Sequence, residues 1–294
     1  MKRFSSFLLG CSFVVACANV STAQDKPAAT MALPKVLTIS REFVKPGKAG
    51  MAHDKAESAF VAAMEHAKWP THYLGMTSMS GKSRALFLTW YTSFDAWQKD
   101  SDGVASNTTL SAALDKAFMA DGELLQDMDQ GVFLLREDMS LRPRPDLSAM
   151  RYMEISTIHV RPGHRKDWNE MSKIYKDGYE KGVPEAHWGM FEQQYGGDGG
   201  TYLLLSSHKS LAELDRGDEE YKQFLAAIGE DDLKKIRELF AACVESTQHQ
   251  LFAFNPKMSY VQDEWIKADP DFWKPKAAAA PAAKAPADDK KARP

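Results

Sequence analysis

FVKPGKAG at 43–50 and HVRPGHRK at 159–166 decide how this chain is read. Each sets a valine, a basic residue, a proline and a glycine at the end of an alternating, β-branched run. Val44-Lys45-Pro46-Gly47 and Val160-Arg161-Pro162-Gly163 lie 116 residues apart. Three further landmarks repeat at nearly the same offset. His72-Tyr73 aligns with His187-Trp188 at 115, Ser93-Phe94 with Ser210-Leu211 at 117, and Met139-Ser140 with Met258-Ser259 at 119. Four landmarks in one order at a near-constant spacing mark a tandem duplication. The first copy is read over 35–139 and the second over 150–259. They are joined by SLRPRPDLSA at 140–149, whose two prolines interrupt regular structure.

Both copies carry the same elements. Residues 36–44 and 152–160 alternate as strands, and Pro-Gly ends each. A helix follows. In the first copy its apolar face is read as Ala52, Ala56, Ala59, Phe60, Ala63 and Met64; in the second, Trp168, Met171, Tyr175 and Tyr179 recur at helical spacing. Strands near 72–79 and 84–91, and near 187–194 and 201–208, then pair through the turns SGKS and GGDGG. Helices resume after Ser93 and Ser210, the latter forming a capping box with Glu213. Leu233, Ile236, Phe240, Cys243 and Thr247 make one helical stripe. Short strands at 132–136 and 251–254 close the copies.

The order β-α-β-β-α-β, twice, predicts an α+β fold. Each ferredoxin-like repeat forms a four-stranded antiparallel sheet with helices on one face only. The bare faces are expected to pack sheet to sheet as an intrachain α+β barrel, which buries them and removes exposed edges. Strand 84–91 agrees. Leu86, Leu88 and Trp90 point one way, Phe87, Thr89 and Tyr91 the other, so both faces are apolar.

The ends read differently. Lys2 and Arg3 precede a mostly apolar run from Phe4 to Ala18, and Ser21 and Ala23 are small residues placed for cleavage before Gln24. Residues 1–23 are therefore expected to be an export signal, sending the protein to the periplasm or medium. A competing reading takes Val14-Val15-Ala16-Cys17 as a weak lipobox, with membrane attachment only if Cys17 is acylated. Residues 24–34 read as a flexible lead-in and 260–275 as a C-terminal extension. Residues 276–294, rich in Ala, Pro and Lys, read as a disordered tail. Once the signal is removed, Cys243 is the only internal thiol, so no intrachain disulfide is available. A net charge of −3 gives no basic field for nucleic acid.

The first strand running into VKPGK, and LFLTWYTSFDAW at 86–97, with VRPGH and LLLSSHKSLAEL in the second copy, resemble the dimeric α+β barrel superfamily. That group includes antibiotic-biosynthesis-monooxygenase-like domains. The resemblance implies a barrel usually made by two chains, here fused into one. It also implies a range of roles: cofactor-independent oxygenases, haem-handling enzymes, small-ring isomerases and members without known activity. The His that such monooxygenases often carry after the third strand is missing from DAWQKDSD and AELDRGDE, and Trp90 is replaced by Ser207 in the second copy.

Candidate chemistry is sparse. His72 and His187 each open a second strand beside an aromatic residue. Each suits an acid, a base or a ligand, or a ring that satisfies backbone groups at a strand start. If Leu37, Ile39, Met153 and Ile155 pack on helices, then Glu154 and Ser156, with Ser40 opposite, point into the barrel. There Glu154 is a candidate general base. Tyr73, Trp90 and Trp188 are expected to grip a ring. His159 and His208 replace Phe43 and Tyr91 of the first copy and are taken as drift at strand ends. With no H-x-x-x-H and no C-x-x-C, neither a metal site nor a bound cofactor is expected. The expectation is an exported protein whose apolar barrel cavity binds a small hydrophobic or aromatic molecule. The alternatives are a cofactor-independent oxygenase or isomerase, and an envelope interaction module acting through the tail.

Overall fold

The computed structural model describes residues 34–143 and 146–274. The stretches read as export signal and tail, Cys17 and nearly all of the expected lead-in lie outside them.

The opening stretch explains itself in β1 (Val36–Val44). Its pairing slips by one residue between Phe43 and Val44, a bulge repeated between His159 and Val160 in the second half. After the bulge, Gly47 and Gly163 take φ of 78° and 89°, the left-handed region that a side chain disfavours. The chain thereby leaves the sheet and turns onto its outer face as α1 (Met51–Ala67). Then come β2 (Tyr73–Ser78), β3 (Arg84–Tyr91), α2 (Phe94–Ser106), α3 (Thr108–Gly122) and β4 (Leu125–Leu135). The second half repeats the order with β5 (Tyr152–Val160), α4 (Arg165–Gly182), β6 (Gly189–Tyr195), β7 (Thr201–His208), α5 (Gly217–Cys243) and β8 (Val244–Phe254). In the place of α2, the second half has a short 3-10 turn over Leu211–Arg216. In the first half Asn107 splits the helix and caps α3, its Oδ1 accepting from the Leu110 N–H at 3.0 Å.

All eight strands close into one antiparallel barrel in the order β1-β3-β2-β8-β5-β7-β6-β4. The halves join at two seams. At one, Met76, Thr77 and Ser78 pair with Phe254, Ala253 and Phe252; at the other, Val132 to Leu135 pair with strand β6.

The barrel interior is packed at its centre, and a cavity of about 250 Å³ remains on its interior face beside Arg41, Arg84, Thr157 and Gln248. Leu37 and Ile39 of β1 meet Met153 and Ile155 of β5, with Leu74, Met76, Leu86, Leu88, Phe133, Leu203 and Phe252 around them. The assignment of faces in the sequence is therefore reversed. Leu37, Ile39, Met153 and Ile155 form the interior, whereas Ser40, Glu154 and Ser156 face outward, toward the helices. The cause is the strong apolar character of both faces: alternation separates two sets of residues without saying which is inside. Trp90, on the interior face, packs at one end of this core rather than lining a cavity.

That end is closed by α6 (Asp263–Ala268) and α7 (Pro270–Trp273). Trp273 is 4% exposed, and its indole N–H donates to the Ser148 carbonyl at 2.9 Å. Arg151 pairs with Asp269 and lies over the Phe272 ring.

Smaller readings also change. β4 and β8 begin about seven residues earlier than expected, at Leu125 and Val244, so Thr247 lies on a strand and not on a helix. Ser93 accepts from the Ala96 N–H, whereas the Ser210 side chain caps nothing. On α1, Ala52 and Ala59 are exposed, and the buried residues are His53 and Glu57.

Candidate functional site

In the second half, β5, β7 and β8 present their outward residues to α4 and α5. The helices do not seal the space between, which leaves a cavity of about 600 Å³. This is the size range of small-molecule sites. Its aromatic wall is ordered by stacking. Tyr175 and Tyr179 lie against Phe224 at centroid distances of 5.2 and 4.6 Å, and Trp188 meets Tyr179 edge-on at 5.4 Å. Burial raises the Tyr179 hydroxyl to about 12, with Tyr175 and Glu220 adding to it. This cavity lies between sheet and helices, whereas the one inside the barrel is smaller, about 250 Å³, and is edged by Arg41, Arg84 and Gln248.

Polar groups converge on it. Among the described residues, eight buried side-chain polar atoms have no hydrogen-bond partner. Four of them belong to residues lining this cavity: Trp168 Nε1, Ser172 Oγ, His208 Nε2 and Thr247 Oγ1. Buried polar groups are nearly always paired, so such a concentration is a set of donors and acceptors waiting for a partner. Also lining it, Ser156 Oγ lies 2.8 Å from His249 Nδ1, which is 3.6 Å from Glu154 Oε1. Register explains the grouping: Ser156 sits beside Leu204 on β7 and His249 on β8, and Glu154 beside Ser206 and Leu251. Burial lowers the His208 imidazole below its ordinary value, against the opposing pull of Glu154 and Glu213. A neutral His208 with an open Nε2 can accept a proton.

Four of the residues singled out in the sequence meet here: Glu154, Ser156, His187 and Trp188. Glu154 stands at the rim, its side chain 35% exposed. His187 is engaged by the backbone. Its Nδ1 lies 3.0 Å from the Glu185 carbonyl and its Nε2 3.0 Å from that of Ser207. That is the strand-start role weighed for it: a neutral ring donates its one N–H to one of these two carbonyls. His208 is the residue the sequence reading set aside. The only signal for it was the asymmetry between the copies, with His where the first has Tyr91.

The others lie in the first half, away from the cavity. His72 stacks on Tyr260 at 4.6 Å, and burial lowers its imidazole. Ser40 accepts from Gln130 Nε2. The Tyr73 hydroxyl is buried without a partner. Burial and the charges of Glu57 and Glu42 raise its pKa.

Those two carboxylates belong to a second constellation. Glu42 of β1, His53 and Glu57 of α1 and Asp121 of α3 are all buried, and one donor atom from each falls within 4.8 Å of the others. Glu42 Oε2 lies 3.1 Å from His53 Nε2, Asp121 Oδ1 3.3 Å and Glu57 Oε1 3.8 Å. Burial disfavours a charged His53 ring, but Asp121, Glu42 and Glu57 outweigh it and raise the imidazole to about 10. Burial, then Glu42 and Asp121, raises Glu57 to about 9. Metal-ligand geometry is thus present where none was expected. The sequence signal for it is His53-x-x-x-Glu57, not a pair of histidines, and that spacing sets two donors one helical turn apart.

The halves have diverged at one place in the fold. At the 115-residue offset, His53 and Glu57 correspond to Trp168 and Ser172, and Tyr73 to Trp188. The first half fills the space between sheet and helices with charge; the second leaves it open and aromatic.

No family model and no curated protein matches the sequence. Among solved structures, a candidate monooxygenase from Fusobacterium nucleatum subsp. nucleatum is similar, with a TM-score of 0.51 at 12% identity, over 76% of this chain and 93% of that one. An anthrone oxidase-like protein has a TM-score of 0.47 at 12% identity, over 78% of this chain and 94% of that one. Chlorite dismutase from Candidatus Nitrospira defluvii has 0.47 at 7% identity, over 81% and 96%. At these identities the likeness concerns the fold alone. The chain shares the fold of the first of these structures, an α+β barrel, here built from two ferredoxin-like units of one polypeptide.

Proposed function

We propose that the second half binds a small, flat aromatic molecule carrying hydroxyl or carbonyl groups. The observation that carries this reading is the convergence of four unpaired buried polar atoms on one aromatic-walled cavity. The Trp168 N–H suits a ligand oxygen acceptor, His208 Nε2 suits a hydroxyl donor, and the two hydroxyls serve either way. The tyrosine and tryptophan rings supply the apolar contact. A panel of phenols, naphthols and quinones tests it through quenching of tryptophan fluorescence. At least one compound is expected to quench saturably. His208→Gln is expected to weaken that binding about tenfold, the scale of one hydrogen bond to a buried partner, and His72→Ala to leave it unchanged. Equal binding by wild type and His208→Gln across the panel sinks the assignment.

A second reading is favoured by one observation, the depressed, open imidazole of His208 beside Glu154 and the Ser156–His249 pair. In it the bound molecule gives a proton to His208 Nε2, as in a cofactor-independent oxygenase or an isomerase. Exchange of substrate hydrogen with deuterated solvent, and oxygen consumption, separate this from binding alone. Export is proposed on the strength of residues 1–23. A secreted or periplasmic product beginning at Gln24 supports it, and a lipid adduct on Cys17 supports the anchored alternative.

A further inference from the structure

We propose that Glu42, His53, Glu57 and Asp121 form a binding site for one divalent first-row transition-metal ion: manganese, iron or zinc. The argument begins with a mismatch of partners. Three carboxylates converge on a single imidazole nitrogen, which can offer at most one N–H. That proton is used by Glu42. Glu57 Oε1 and Asp121 Oδ1 are left buried with no partner, on residues 3% and 2% exposed. Unpaired buried carboxylate oxygens are costly. In the metal-free chain a proton on Glu57 can be shared with Asp121, and a cation that accepts their lone pairs would displace it.

Distances agree. Donor atoms around an ion at roughly 2.1 Å stand about 3.0 Å apart in octahedral and about 3.4 Å apart in tetrahedral geometry. The separations from His53 Nε2 to Glu42 and Asp121 are 3.1 and 3.3 Å; that to Glu57, 3.8 Å, closes by a small side-chain movement. Ligand chemistry narrows the choice. Imidazole selects against magnesium and calcium, and the absence of a thiolate selects against the softest ions. Charge also fits, since a divalent cation offsets carboxylates that one imidazolium cannot.

Placement gives the ion a purpose. The ligands come from β1, from successive turns of α1 and from the end of α3. One ion would therefore pin α1 and α3 to the sheet, where the second half uses aromatic packing. With every ligand buried, the site is closed, as structural metal sites are.

The test uses the full chain. Elemental analysis of protein purified without chelator is expected to find close to one ion per chain. Chelator-treated protein is expected to gain roughly 5–10 °C in Tm at hundredfold excess of Mn²⁺, Fe²⁺ or Zn²⁺ over Kd, and little with Mg²⁺ or Ca²⁺. His53→Gln and Asp121→Asn are expected to lower occupancy at least tenfold. Should those variants misfold by circular dichroism, Co²⁺ added to the wild type still decides, through visible bands of an ion bound by nitrogen and oxygen. Wild type without stoichiometric metal, Tm shift or cobalt bands overturns the proposal. So does undiminished occupancy in well-folded variants.

Discussion

Replacing Ile155 by alanine and, separately, Glu154 by glutamine tests which face of β5 lines the barrel. Ile155 is 4% exposed in the interior cluster; Glu154, its neighbour, faces the helices at a cavity rim. Ile155→Ala deletes three carbons, a transfer loss of about 2.4 kcal/mol at about 0.8 kcal/mol per methylene. The surrounding strands are hydrogen-bonded on both sides and cannot collapse inward, so a void of about 50 Å³ adds about 1 kcal/mol. The expected cost is about 3.5 kcal/mol, or roughly 7–14 °C in Tm for a unit of this size. Glu154→Gln keeps the volume and disturbs only a rim contact with an exposed histidine, so its expected cost is within about 0.5 kcal/mol. Urea titration followed by circular dichroism reads both. A cost below about 1 kcal/mol for Ile155→Ala, with a larger one for Glu154→Gln, would refute the assignment of faces, and the cavity would have to be sought inside the barrel.

Three further outcomes follow from the same coordinates. His208 is held below its ordinary value, so below pH 6.5 the unfolded chain takes up a proton that the native one does not. Stability therefore falls as pH drops from 6.5 through the lowered native midpoint, and His208→Gln flattens that slope in pH-dependent melts. A Cβ on Gly75 would meet the Met258 carbonyl oxygen at 2.4 Å and its Cβ at 2.8 Å, where Ser259 Oγ also accepts from the Gly75 N–H. Gly75→Ala is expected to lower stability by about 2 kcal/mol or more and to expose the segment after β8 to limited proteolysis; an unchanged melt contradicts that packing. Lys68 ends α1 with φ 49°, a left-handed cap that glycine adopts without strain. Lys68→Gly is expected to stabilise by roughly 0.5–1 kcal/mol, measurable as a higher urea midpoint.

Much of the architecture was legible before any coordinates. The repeated VKPG and VRPG turns, at glycines that adopt positive φ, located the strand-to-helix corners of both halves. Periodicity located most strands. The strands that escaped were the early parts of β4 and β8, where LLQDMDQ and VESTQHQ show no regular alternation. Their pairing is dictated by β1 and β5 alongside, not by local pattern. In the candidate site, Glu154, Ser156, His187 and Trp188 were found, but for the wrong compartment. His208 was discounted, because its depressed imidazole depends on burial in the folded chain, which the strand sequence does not report.

From the chain of residues alone came the duplication, the order of elements and the need for each sheet to hide a bare apolar face, because these depend on spacing and composition. Only the tertiary structure decided which face turned inward, that an aromatic cavity lies between sheet and helices in one half, and that four acid and base groups from β1, α1 and α3 meet in the other. Those outcomes depend on distances between segments up to 79 residues apart, from Glu42 to Asp121. Local periodicity carries no information about such distances.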